Sequence, residues 1–257
     1  MRKLTLLFLF VPCLLWGQTI QNLAPFVLTT PSVVVSTPLF DVASDSLWDG
    51  GGLQSVAIKI PITVTASSNR ILLAYGTIHD GLNQNPLADS VKSKLSGAKL
   101  TMLDSTLFDG APATHTMSVW YLINPTSGND TVTVYRNSGG SSDPIRGTWS
   151  VVSYYNTNQG GGASSIALGL KQYGVAGTEV TGTSTSASGE KVALCSLTGI
   201  TAIDSCSQGT VTRDLKGGTA QHYAIATGDK AGATSVTLGY KKTDGGYYGL
   251  FLLRLKP

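Results

Sequence analysis

From residue 55 onward the chain is a succession of short runs in which apolar and β-branched residues alternate with Ser, Thr and Lys. This period of two constrains the fold more than any other feature, because it turns one side of each run to a core and the other to solvent. Residues 55–66 are the clearest case, and Pro61 within them predicts an edge strand or a bulge, since proline cannot donate to a ladder. Further strands are predicted at 70–79, 99–107, 114–123, 131–136, 147–155, 164–170, 191–197, 222–226, 235–240 and 247–255. Residues 124–130 read as a tight polar hairpin loop, and Gly160-Gly-Gly162 as a loop inside the domain. The best helical candidate is 86–95, long enough for one or two turns. Many short strands at about 8–12-residue spacing predict an all-β fold, an antiparallel two-sheet β-sandwich over 51–257 with no dividing linker.

The N-terminus carries a different signal. Met1-Arg2-Lys3 is a basic start, residues 4–15 are almost wholly apolar, and Trp16-Gly17-Gln18 closes the run. That is a signal-peptide pattern covering 1–17, and the apolar run is shorter than the ~20 residues a spanning helix needs. The rival readings are a retained anchor or a lipid-modified Cys13. Cleavage after Gly17 predicts a secreted, extracellular or cell-surface protein with no membrane segment. Residues 18–50 then form an extended arm, held open by Pro25, Pro31 and Pro38. Its apolar stretches Phe26-Val27-Leu28 and Val33-Val34-Val35 are candidate strands that pack on a sheet edge, either of the same chain or, by strand addition, of a neighbouring copy.

Loss of Arg2 and Lys3 with the leader lowers the formal charge from +3 to about +1, and only 13% of residues are charged. No basic block runs along the sequence, which argues against a nucleic-acid partner. Cys195 and Cys206 remain after cleavage; in an oxidising compartment a disulfide is the simplest reading, two free buried thiols the other.

The order of landmarks resembles a jelly-roll-like sandwich module of secreted bacterial and phage-associated surface proteins. They are Asn69-Arg-Ile-Leu-Leu-Ala-Tyr-Gly76, Met117-Ser-Val-Trp-Tyr-Leu-Ile-Asn-Pro125, Gly128-Asn-Asp-Thr-Val-Thr-Val134, residues 147–159, Ser188-Gly-Glu-Lys-Val-Ala-Leu194 and the closing 247–257. The resemblance implies a structural, adhesive or binding unit and carries no catalytic residues. It is silent on the arm and the cysteines.

Chemistry is sparse. His79, His115 and His222 are isolated, no Gly-x-Ser-x-Gly elbow occurs, and the two glutamates, Glu179 and Glu190, lie in polar surroundings that give no reason for a raised pKa. No enzyme activity and no cofactor are expected. Asp41, Asp45 and Asp49 beside Gly50-Gly-Gly52 are a weak calcium candidate that lacks the alternate spacing and closing Glu of an EF-hand. Adjacent tyrosines Tyr154-Tyr155 and Tyr247-Tyr248 place one ring of each pair outward on a strand, a candidate glycan platform. The expected function is therefore a non-enzymatic structural or adhesive surface protein, self-associating or binding surface partners through its arm. The alternative is a lectin-like glycan-binding module.

Overall fold

The structure, a computed structural model, describes residues 36–49, 55–79, 87–107, 116–137, 146–199, 202–216, 223–243 and 245–257. They all belong to one compact unit. Its strands fall into two sets of eight. The first set is β1 (Leu39–Asp49), β2 (Ser55–Val64), β3 (Ile71–His79), β4 (Ser90–Ser93), β5 (Thr101–Leu107), β6 (Thr116–Ile123), β7 (Gly128–Asn137) and β8 (Arg146–Tyr155). The second is β9 (Ile166–Ala176), β10 (Glu179–Ser184), β11 (Lys191–Thr198), β12 (Ile203–Ser207), β13 (Val211–Lys216), β14 (Ala224–Ala231), β15 (Val236–Lys242) and β16 (Gly246–Leu255). A 3-10 turn, Gly162–Ser164, stands between the sets.

Every ladder is antiparallel, and the ladders make four sheets. The first set gives a five-stranded inner sheet, β1-β8-β3-β6-β5, and a three-stranded outer sheet, β2-β7-β4. The second gives an inner sheet β13-β14-β11-β16-β9 and an outer sheet β10-β15-β12. Renumbered within its own half, the second pattern is the first one over again. The equivalence extends to irregularities: β5 is bulged between Met102 and Asp104 against β6, and β13 between Thr212 and Asp214 against β14. Asp104 then faces Val119 and Asp214 faces Thr227, whose neighbours on the central strands are Tyr75 and Cys195. Tyr75 and Cys195 are thus equivalent positions in a duplicated fold.

Three cores hold the layers together. Ile58, Ile60, Val132 and Val134 of the first outer sheet pack on Leu72, Ala74, Trp149 and Val151 of the first inner sheet. Val180, Leu238 and Tyr240 of the second outer sheet pack on Val192, Leu194, Leu250 and Leu252. The third core lies between the inner sheets, where Ile71, Leu73, Tyr75, Val119 and Val152 meet Cys195, Leu197, Ile225, Phe251 and Leu253. Strand alternation explains the arrangement: odd residues of β3 enter the shared core and even ones the first-half core. Across the shared core β1 lies against β13, β8 against β14, β3 against β11 and β5 against β9. Each strand meets the partner set's strand in reversed order, which is the relation of two copies about an approximate two-fold axis passing between β3 and β11.

The expected arm, 18–50, includes residues that form β1, which pairs with β8 from Leu39↔Tyr155 to Asp49↔Arg146. Phe26, Val27, Leu28 and Val33, Val34, Val35 lie outside the described residues, as does the 1–17 segment. The expected helical turns at 86–95 are instead β4, closed by a turn in which Asp130 accepts hydrogen bonds from Ser93 Oγ and the Leu95 amide at 2.7 Å. Residues 124–127 are not a hairpin loop: they carry the chain from the inner sheet to the outer one, because β6 and β7 belong to different sheets. Pro61 does sit on an edge strand, β2, where the missing N–H breaks no ladder. The glycine loop at 160–162 lies at the junction of the two halves.

Candidate functional site

The interface between the halves holds buried polar and charged groups. Tyr75 reaches across it and donates to the Ala226 carbonyl at 3.1 Å, with Thr227 Oγ1 beside it. At the margin, Asp229 is 1% exposed and accepts from Lys191 Nζ at 3.1 Å and from Arg213 Nη2 at 3.0 Å, with Arg213 Nε on its other oxygen. Its hydrogen bonds to Asp229 push the Arg213 pKa further up. The guanidinium lies 4.5 Å from the centroid of the Phe40 ring, which meets Tyr154 edge-on at 5.9 Å. This chain of contacts clamps β1 and β8 of one half to β13 and β14 of the other. Its buried, mutually satisfied charges make it a fastening between halves.

The two cysteines are free. Cys195 points into the shared core, whereas Cys206 packs with the second-half core and places Sγ 3.9 Å from the Thr227 carbonyl. The second inner sheet stands between them, so the expected disulfide is absent: β11 and β12 lie in different layers and are not the two arms of a hairpin. Burial raises the pKa of both thiols.

Asp41 and Asp45 lie on β1, and Asp41 accepts from the Thr65 amide at 3.1 Å. An extended strand spreads residues i and i+4 by roughly 13 Å, too far to converge on one cation. Among the described residues no group of three or more His, Cys, Asp or Glu could hold a metal.

The tyrosine pairs separate as strand alternation demands, with a difference of environment. Tyr154 is buried in the shared core and Tyr155 half-buried, because both faces of an inner sheet are covered. Tyr248 is buried and hydrogen-bonded by Gln172 Nε2 at 2.6 Å. Tyr247 is 42% exposed, and its cross-strand neighbour Val175 is 70% exposed. Tyr173, opposite Gly249, is 55% exposed and completes a small aromatic shelf at the β9–β16 edge.

The two outer faces have diverged. On the second half, Thr181, Thr183 and Thr237 line a neutral surface in which Thr183 and Thr237 hydroxyls bond at 2.9 Å. A shallow hollow at its end mixes Glu179 and Asp204 with Lys241. On the first half, an open groove of about 430 Å³ is lined by Lys59, Lys92, Lys94, Thr131, Thr133 and Tyr135. Alternation sets this up: Ile58, Ile60, Val132, Val134 and Val91 turn inward, so their neighbours all face out. Lys59 and Lys92 flank Thr133 on the two adjacent strands, and the Lys92 ammonium stands 5.4 Å from the Tyr135 ring centroid. No sequence signal pointed to this groove, since its lysines come from β2, from β4 and from the turn after it.

No protein-family model, curated protein or solved structure matches the chain.

Proposed function

We propose that the chain is a secreted, non-catalytic adhesive or structural surface protein built from two jelly-roll-like sandwiches joined back to back. The strand orders β1-β8-β3-β6 and β2-β7-β4 support the jelly-roll reading, and the basic, apolar, then small-residue N-terminus supports export with cleavage after Gly17. One observation carries the functional reading: fusing the inner sheets leaves two outer sheets facing in opposite directions, so one chain offers two separate faces to its surroundings. An extracellular matrix or filament subunit needs that bivalency, and the N-terminal arm would link copies by strand addition. Sedimentation and negative-stain microscopy of the secreted protein test it. Assemblies that disappear when residues 18–35 are deleted are the expected result. A protein that stays monomeric at all concentrations and coats no surface would contradict the reading.

A second reading, lectin-like glycan binding, is favoured by the shelf of Tyr173, Val175 and Tyr247. Exposed rings on a flat sheet edge suit the apolar face of a sugar. Tyr173→Ala and Tyr247→Ala would each abolish neutral-glycan binding on this reading, and unchanged binding would remove it.

A further inference from the structure

We propose that the groove on the first outer sheet docks an acidic polysaccharide, whose carboxylates or sulfates pair with Lys59, Lys92 and Lys94. This rests on the adhesive reading and gives one of its two faces a partner chemistry. Three observations converge on it. First, Lys59, Lys92 and Lys94 are gathered on one exposed surface whose lining contains no carboxylate. Asp130, under the same strands, is 4% exposed and committed to Ser93 and Leu95. Second, the clustering works against the fold: Lys99 stands directly opposite Lys92 in an antiparallel bridge, and like charges facing each other across strands are destabilising. A charge arrangement that weakens the sheet it sits on calls for a compensating anion. Third, the equivalent face of the duplicated half is neutral and threonine-rich, so the fold itself does not require the lysines.

The groove's chemistry favours sugar over nucleic acid. Thr131, the less buried of the two threonines lining the groove, can exchange hydrogen bonds with sugar hydroxyls through its own hydroxyl. A nucleic acid would want about 6–10 phosphate contacts and free aromatic faces for bases. Here Tyr135 is the groove's one ring, the Lys92 ammonium already stands over it, and no arginine is present for bidentate phosphate recognition.

The test measures binding of the purified protein to immobilised polygalacturonate, dextran sulfate, neutral dextran and single-stranded DNA at about 0.15 M salt. Binding to polygalacturonate or dextran sulfate and not to neutral dextran is expected, the stronger of the two identifying the anionic group. The Lys59→Gln/Lys92→Gln/Lys94→Gln variant should bind at least about tenfold more weakly with a flatter salt dependence, and each single variant about two- to fivefold more weakly. Lys241→Gln, on the opposite outer sheet, should bind like wild type. The three lysines are exposed and their mutual repulsion weakens the sheet, so the triple variant should keep or raise the wild-type thermal midpoint; if the midpoint falls, the single variants decide. The proposal is overturned if neither acidic polymer binds, if the lysine variants bind as wild type, if Lys241→Gln weakens binding equally, or if DNA binds more tightly than both polysaccharides. In all four cases the assembly assay above still judges the adhesive reading on its own.

Discussion

At the residue scale, the halves are held by buried side chains that reach across the interface between the inner sheets. Tyr75 is the central one. Burial raises its phenol pKa well above the ordinary value, and burial does the same for Tyr154 and Tyr240. A phenol whose folded pKa exceeds its unfolded one stabilises the fold fully below the unfolded value near 10, and that stability drains away as pH rises past it. Spectrophotometric titration should therefore find these three tyrosines silent until alkaline unfolding; their early, reversible titration would contradict their burial. Tyr75→Phe leaves the Ala226 carbonyl without its cross-interface donor and the Thr227 hydroxyl without its phenol partner, and should cost about 1–3 kcal/mol in denaturant melts. The cysteines belong here too. With Cys195 fully buried and both thiol pKa values raised, Cys195 should react with a thiol reagent only after denaturation, and a denatured chain lacking residues 1–17, and with them Cys13, should yield two thiols. A yield of none would restore the disulfide.

At the element scale, what could be read from sequence followed how large the buried residues are. Among strands rich in Val, Ile and Leu, β2 announces itself by period-two alternation, whereas β3 and β16, covered on both faces, show as continuous apolar runs. β10 hides, although its burial alternates without a break, because its inward positions are Val180, Gly182 and Ser184. A methyl group on Gly182 would come within 2.6 Å of Leu170 and 2.7 Å of Leu250, so the large residues of the inner sheet take the volume that the outer strand leaves. β1 was obscured by the polar residues along its length, and β4 is only four residues long. Gly76 shows the same economy in the first half: opposite Trp149, its missing Cβ leaves room for the indole, which would stand 2.5 Å from an added methyl. Gly76→Ala should therefore destabilise by about 1–3 kcal/mol or more, read as a fall in thermal midpoint; a neutral outcome would mean that Trp149 is not packed there.

At the scale of the molecule, the duplication was invisible in sequence because equivalent positions in the central strands carry different residues. Tyr75 corresponds to Cys195, and the lysine-lined outer face of one half to the threonine-lined face of the other. What persists is strand order, the bulge before Asp104 and Asp214, and the alternation between cores. The candidate groove was unreadable for a related reason, since strand pairing assembles it from residues 59, 92–94 and 131–135. The account stands or falls on the four-layer stack, with the outer sheets farthest apart. Spin labels placed by Tyr135→Cys and Lys241→Cys, with Cys206 replaced by Ser, sit on the outer faces of β7 and β15. Three inter-sheet spacings of about 10 Å separate those strands. Pulsed electron–electron resonance should give one narrow distance distribution at or beyond about 30 Å. A distribution centred below about 20 Å, or two broad populations, would mean that the halves are not fused through their inner sheets.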